Sequence, residues 1–189
     1  MRIVGGELGG RLLEAPKDAR TRPMLEKTRA AVFNILGLRV AGVRVLDAFA
    51  GTGSLGLEAL SRGAAHATFV ERDRVSFRCL ERNVAALGVG ARSAIRREPI
   101  ERVVESLEPE SFELAFLDPP YVEVEDPIRR PRALALAREI ATRVLVPSGA
   151  LVLHFPSGAL GADALATIGA VVETARDYGR NAIAILRRG

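Results

Sequence analysis

Two short stretches carry residue types suited to chemistry on an amine. The first is Asp118-Pro119-Pro120-Tyr121, which follows an apolar run. Its two prolines stiffen the chain and remove two backbone donors, so the carbonyl oxygens remain as acceptors. An Asp carboxylate beside a rigid carbonyl suits a planar exocyclic amino group, which donates two hydrogen bonds. Tyr121 supplies a ring on which a nucleobase stacks. Taken alone, the same residues also describe a strand closed by a proline turn, with the Tyr in the core.

The second stretch runs from Leu46 to Gly56. Gly51, Gly53 and Gly56 satisfy G-x-G-x-x-G between an expected strand and an expected helix. Glycines there let the backbone turn sharply and let a ligand lie against it. Glu71 ends the next expected strand, at the distance where a carboxylate accepts ribose hydroxyls. The pattern points to a nucleoside-type cofactor, and Asp47 discriminates among such cofactors. An acid at the strand end repels a pyrophosphate. It favours a ligand with an ammonium group and a sulfonium, as in S-adenosyl-L-methionine. The alternative for Asp47 is a structural acid that caps the loop amides.

These residues need a scaffold, and the composition allows one. The chain has 189 residues, 48% hydrophobic and 26% charged, which fits one soluble globule with a core. A single cysteine, Cys79, excludes an internal disulfide framework and a cysteine-rich zinc site. No metal cluster is signalled; His66 and His154 are isolated, and His154 reads as a core or edge residue. No apolar run reaches the length of a membrane span. The N-terminus lacks the apolar stretch of a signal peptide, so a cytoplasmic protein is expected.

Lys plus Arg number 27 against 23 acids, a net charge of +4, and all but Lys17 and Lys27 are arginine. The first 30 residues hold Arg2, Arg11, Lys17, Arg20, Arg22, Lys27 and Arg29 against four acids. Arginine forks suit phosphate oxygens. A solvated surface arm explains the same charges equally well.

The expected elements alternate. Residues 1–22 read as irregular or a short hairpin, with Ile3-Val4 and Leu12-Leu13 as strands. A helix entered at Thr21-Arg22-Pro23 runs to a stop at Gly37. Strands are expected at Val43–Asp47, Ala67–Val70, Ala91–Arg96, Phe112–Leu117 and Ala150–Phe155. Helices are expected at Ser54–Arg62, Val75–Leu87, Ile100–Leu107 and Arg132–Val144. Two final strands, Ala170–Ala175 and Ala182–Leu186, have no helix between them and predict an antiparallel hairpin at the sheet edge. The rest predicts a mostly parallel sheet with helices on both faces.

Asp47 through Gly56, Glu71 and Asp118–Tyr121 together resemble the amino-group class of S-adenosylmethionine-dependent methyltransferases. Further pieces narrow the resemblance. They are Arg2–Gly6, Gly10-Arg11, Pro16, Thr21-Arg22-Pro23, Phe33–Leu36, Leu57–Ala64 and Tyr178-Gly179. With them the chain is similar to the family of bacterial 16S rRNA guanine-N2 methyltransferases called RsmD. Met24 after Arg22-Pro23, Ala30 after Arg29, and Arg97-Glu98-Pro99 at the third strand depart from that family's pattern.

The resemblance implies an α/β, Rossmann-like class I methyltransferase fold: a mostly parallel seven-stranded sheet, an antiparallel last strand and a small N-terminal appendage. It implies an RNA-binding arm and helix over 1–40 and a methyltransferase domain over 41–189. Cofactor contacts are then expected from Asp47, Ala50, Gly51, Thr52, Gly53, Glu71, Arg72, Glu98 and Pro99. The catalytic set would be Asp118, Pro119, Pro120 and Tyr121. Arg2, Arg11, Arg20, Arg22 and Asn34 would touch RNA, the 16S rRNA of an assembling small subunit. The residues themselves leave three rivals: an adenine-N6 methyltransferase, an NAD-linked oxidoreductase and a non-catalytic RNA-binding module.

Overall fold

The structure, a computed structural model, describes residues 1–16 and 24–189. The expected helix entry at Thr21-Arg22-Pro23 and the candidates Arg20 and Arg22 lie outside the described residues. Seven strands form one sheet in the order β3-β2-β1-β4-β5-β7-β6. They are β1 Arg44–Asp47, β2 His66–Val70, β3 Ser93–Arg96, β4 Phe112–Leu117, β5 Leu145–Pro156, β6 Val171–Tyr178 and β7 Asn181–Arg187. The chain divides into two compact units, Met1–Val103 and Val104–Gly189.

In the first unit β1 pairs in parallel with β2, and β2 in parallel with β3. Its helices are α1 Glu26–Leu36, α2 Ser54–Ser61 and α3 Arg74–Leu87, and α4 Ile100–Ser106 runs across the division of the chain. Local chemistry sets their ends. Gly37, at φ 56°, stops α1. Asp73 caps α3 by accepting from the amides of Val75 and Ser76 at 3.0 and 2.8 Å. Gly88 ends α3 in the left-handed conformation. Cys79, Leu80, Val84 and Leu87 form the buried stripe of α3. α2 is buried along its whole length and packs against β1 and β2.

The N-terminal segment is a narrow loop closed by an antiparallel bridge between Arg2 and Leu12. Ile3 and Leu13 are buried. The loop is fastened to α2 by a buried carboxylate. Glu58 accepts from the amides of Val4 and Gly5 at 2.7 and 2.8 Å. It also pairs with Arg62 at 2.8 Å and with Arg29 at 3.5 Å. The Arg29 guanidinium donates to the Arg2 carbonyl, and burial lowers its pKa from the ordinary arginine value. Gly6 must be glycine: it has φ 78°, and a Cβ there would lie 1.9 Å from the Ser61 carbonyl oxygen.

In the second unit β4 and β5 are parallel, with a register shift between Phe112 and Leu114. β7 is antiparallel to both β5 and β6. The predicted antiparallel last strand is therefore present. Two short helices, α5 Tyr121–Glu125 and α7 Ala162–Ala166, were not expected. α6 covers Arg130–Glu139 and continues as a wider π-type turn over Ile140–Val144.

Removing Glu58 would leave Arg29 as an uncompensated buried cation and two amides without an acceptor. Losing one partner of a buried pair costs about 3–5 kcal/mol. Glu58→Ala is expected to lower unfolding free energy by about that amount in a urea titration. A loss below about 1 kcal/mol, the value of an exposed pair, would contradict this account of the anchor.

Candidate active site

In the first unit, the carboxyl end of β1 opens into the glycine loop. Asp47 is 1% exposed, and its Oδ2 accepts the Gly56 amide at 2.9 Å. The acid thus ties the end of β1 to the first turn of α2. The three glycines are needed for different reasons. Gly51 has φ 56°, and a Cβ there would meet nothing within 4 Å, so space lies against that backbone. At Gly53 a Cβ would sit 2.5 Å from Leu80. At Gly56 it would sit 2.3 Å from the Phe69 ring, so the third glycine lets α2 close on β2.

Glu71 follows β2. Its Oε2 accepts the Gly51 amide at 2.8 Å and its Oε1 accepts the Asp73 amide at 2.6 Å. Each carboxylate oxygen has a second lone pair, so these bonds leave acceptor capacity for hydroxyls. Burial raises the Glu71 pKa, and the two amides oppose that shift. Ala50 donates to the Val70 carbonyl at 3.0 Å and Gly53 to the Ala50 carbonyl at 2.7 Å, closing the loop. Thr52 is buried, and its carbonyl accepts from Asn83 at 3.0 Å. Asn83 also exchanges two bonds with the Glu14 backbone, at 2.7 and 3.0 Å. Sequence reading missed Asn83; its signal is an amide within the apolar stripe of α3. Arg72 is exposed. Glu98 pairs with Arg96 at 2.9 Å, and the Pro99 carbonyl accepts from Val103 at 3.3 Å.

In the second unit, β4 ends at Leu117 and Asp118 follows. Pro119 is buried. Pro120, at φ −51° and ψ 136°, is the residue before α5, and its carbonyl accepts from Glu123 at 2.8 Å. The Asp118 side chain is 21% exposed, and its Oδ1 lies 2.6 Å from His154 Nδ1. The Tyr121 ring meets the His154 ring edge-on, with centroids 5.9 Å apart at 66°. The Tyr121 hydroxyl donates to Asn181 Oδ1. Sequence reading also missed the roles of His154 and Asn181. No local motif marks either; both reach the loop through strand pairing, with Leu117 opposite Leu153 and Pro156 opposite Asn181.

The expected RNA contacts in the described residues belong to the first unit. The Arg2 amide donates to Glu26 at 2.9 Å, and its guanidinium lies 3.8 Å from the same carboxylate. Arg11 donates to the Ala86 carbonyl at 3.1 Å. Asn34 is exposed on α1. Among the described residues no three or more His, Cys, Asp or Glu gather to hold a metal, and no helix is long and apolar enough to cross a membrane.

A family model described as "Conserved hypothetical protein 95" matches residues 1–187. The chain belongs to this family. The sequence likeness to RsmD is borne out by a relative named ribosomal RNA small subunit methyltransferase D, from Escherichia coli strain K12. It is 37% identical over 121 residues, 64% of this chain and 60% of that enzyme. YlbH of Bacillus subtilis, which carries a provisional rRNA methyltransferase name, is 38% identical over 125 residues, 65% of this chain and 68% of its own. The solved structure of yhhF from E. coli, provisionally named a methyltransferase, superposes with a TM-score of 0.83 at 26% identity. It covers 100% of this chain and 97% of its own. The fold is that of class I methyltransferases.

As the expected ribose acceptor, Glu71 would have to be ionised to accept hydroxyls with full strength, and burial raises its pKa. Affinity for S-adenosylmethionine should therefore weaken as pH falls, starting above the pH where an ordinary glutamate protonates. Calorimetry across pH should show that step in the wild type, and Glu71→Gln should bind more weakly and lack it. A wild-type affinity that stays flat through the acid range would contradict the role given to Glu71.

Proposed function

We propose that this protein methylates the exocyclic N2 amino group of a guanine in 16S rRNA, with S-adenosyl-L-methionine as donor. The observation that carries the reading is Asp118. Its partly exposed carboxylate follows a strand, is fixed by His154, and stands beside two prolines and a braced Tyr121. The rRNA methyltransferase names of the relatives support the choice of substrate.

The first unit suits this cofactor on its own chemistry. Open space borders Gly51, and Asp47 at the end of β1 favours a cationic ligand over a pyrophosphate. Asp47, Ala50, Gly51, Thr52 and Gly53 would hold the methionine part, Glu71 and Arg72 the ribose side, and Glu98 and Pro99 the adenine. When bound, the cofactor supplies an electrophilic methyl on a sulfonium.

The second unit supplies the hold on the nucleophile. The guanine amino lone pair is delocalised into its ring. Asp118 and the Pro119 carbonyl accept its two hydrogens and bias the nitrogen toward tetrahedral geometry. The Pro120 carbonyl is already engaged by the first turn of α5, so Pro120 serves to stiffen the loop. Tyr121 stacks on the base. Transfer would form the N–C bond at the expense of the donor's C–S bond, and Asp118 or water would take the proton that the amine sheds. Positioning of this kind supplies roughly 7–11 kcal/mol in favourable cases. A base within a helix is out of reach, so the target is unpaired or flipped out.

Arg2, Arg11, Arg20, Arg22 and Asn34 would contact RNA phosphates and bases. An arm of this length suits an RNA surface already organised in an assembling small subunit. The protein works in the cytoplasm on this reading.

Asp118→Ala is expected to lower methyl transfer at least a hundredfold, about the share of a positioned acid–base group. Its calorimetric affinity for S-adenosylmethionine should stay at the wild-type value. Undiminished transfer by the folded variant would refute the assignment.

A further inference from the structure

We propose that His154 is a positioning residue for Asp118: in its neutral form, with the proton on Nδ1, it locks the carboxylate that holds the target amine. The inference rests on the amine-holding reading of Asp118. Three observations carry it. His154 is 1% exposed, and its Nδ1 lies 2.6 Å from Asp118 Oδ1. Its Nε2 is buried with no hydrogen-bond partner among the described residues. Its ring is braced edge-on by Tyr121.

The tautomer follows from the burial. A doubly protonated ring would bury an Nε2–H donor without an acceptor, at the desolvation cost of an unpaired polar group. A ring protonated only on Nε2 would have the same orphan and would set an Nδ1 lone pair against the Asp118 carboxylate. The remaining tautomer donates from Nδ1 to Oδ1 and leaves only a weaker deficit, an unpaired lone pair, at Nε2. The proton therefore sits between the two residues.

The backbone under His154 is rigid. It is paired within the β5–β7 ladder, opposite Ile183, and stands one residue past the last β4–β5 pair, Leu117 with Leu153. Asp118 lies just past the end of β4 and lacks that support. A bond from a strand-held ring fixes the carboxylate plane, so Oδ2 accepts the amine in one orientation. The same ring presses on Tyr121, whose hydroxyl is held by Asn181. His154 thus sets both the acceptor and the stacking platform without touching the substrate.

The test compares His154→Leu with His154→Asn, which keeps an N–H donor near the position of Nδ1. Each variant is measured for melting temperature, calorimetric affinity for S-adenosylmethionine, and kcat and KM on RNA. His154→Leu should retain cofactor affinity and lose about tenfold to a hundredfold in kcat, the scale of a small misplacement of a reacting group. His154→Asn should recover most of that loss. A folded His154→Leu with wild-type kcat, or equal losses in both variants, would overturn the proposal. Should His154→Leu fail to fold, nitrogen-15 spectra of the wild-type imidazole decide. The expected result is an Nδ1–H tautomer that is perturbed in Asp118→Asn; an Nε2–H tautomer would overturn the pair. The spectra need no methyl transfer. A wild-type protein inactive on guanine would remove the underlying reading, whereas the wrong tautomer would remove the His154 role itself.

Discussion

The structure depends on holding carboxylates at the carboxyl ends of strands. Asp47, Glu71 and Asp118 each follow or end a strand, where backbone pairing stops and the chain must turn. Each is held by donors from its own unit: Asp47 by the Gly56 amide, Glu71 by the Gly51 and Asp73 amides, Asp118 by His154. A buried or half-buried acid without such donors would carry a large desolvation cost. The donors therefore do two things at once. They make the acids tolerable, and they fix the loops that carry the chemistry.

The same logic governs the N-terminal segment. Glu58 lies wholly buried on α2, and its cations and amides come from the arm, from α1 and from Arg62 just past the end of α2. Asn83 on α3 links the arm at Glu14 to the glycine loop at Thr52. The proposed RNA-binding arm and the proposed cofactor loop are thus connected through short polar contacts within one unit. Exposed charges of the arm also pair, Glu14 with Arg82 at 2.7 Å and Arg2 with Glu26 at 3.8 Å, and such solvent-exposed pairs add little stability.

Much of this was legible in the residues because the signals were local. Glycine spacing, an acid at a strand end and a proline pair each act within a few positions. That is why β4 falls where expected and the last strand is antiparallel. The partners that complete the loops were not legible, because they are distant in the chain. His154 is 36 residues from Asp118, Asn83 is 31 from Thr52, and Asn181 is 60 from Tyr121. A lone His in an apolar strand looks like core, and this one is core; its second role arises only from strand register. α5 was hidden because two prolines read as a turn, although a proline suits the entry to a helix. The early start of β5 was masked by Pro147-Ser148-Gly149, where Ser148 takes φ 63° and the ladder shifts register.

The central claim is that this chain puts a methyl group on a guanine amino nitrogen. The most direct measurement supplies S-adenosylmethionine bearing a deuterated methyl to small-subunit particles that lack the modification, then digests the RNA to nucleosides for mass spectrometry. The account predicts the label in N2-methylguanosine. Label in N6-methyladenosine, or none in RNA from a protein that binds the cofactor, would contradict it.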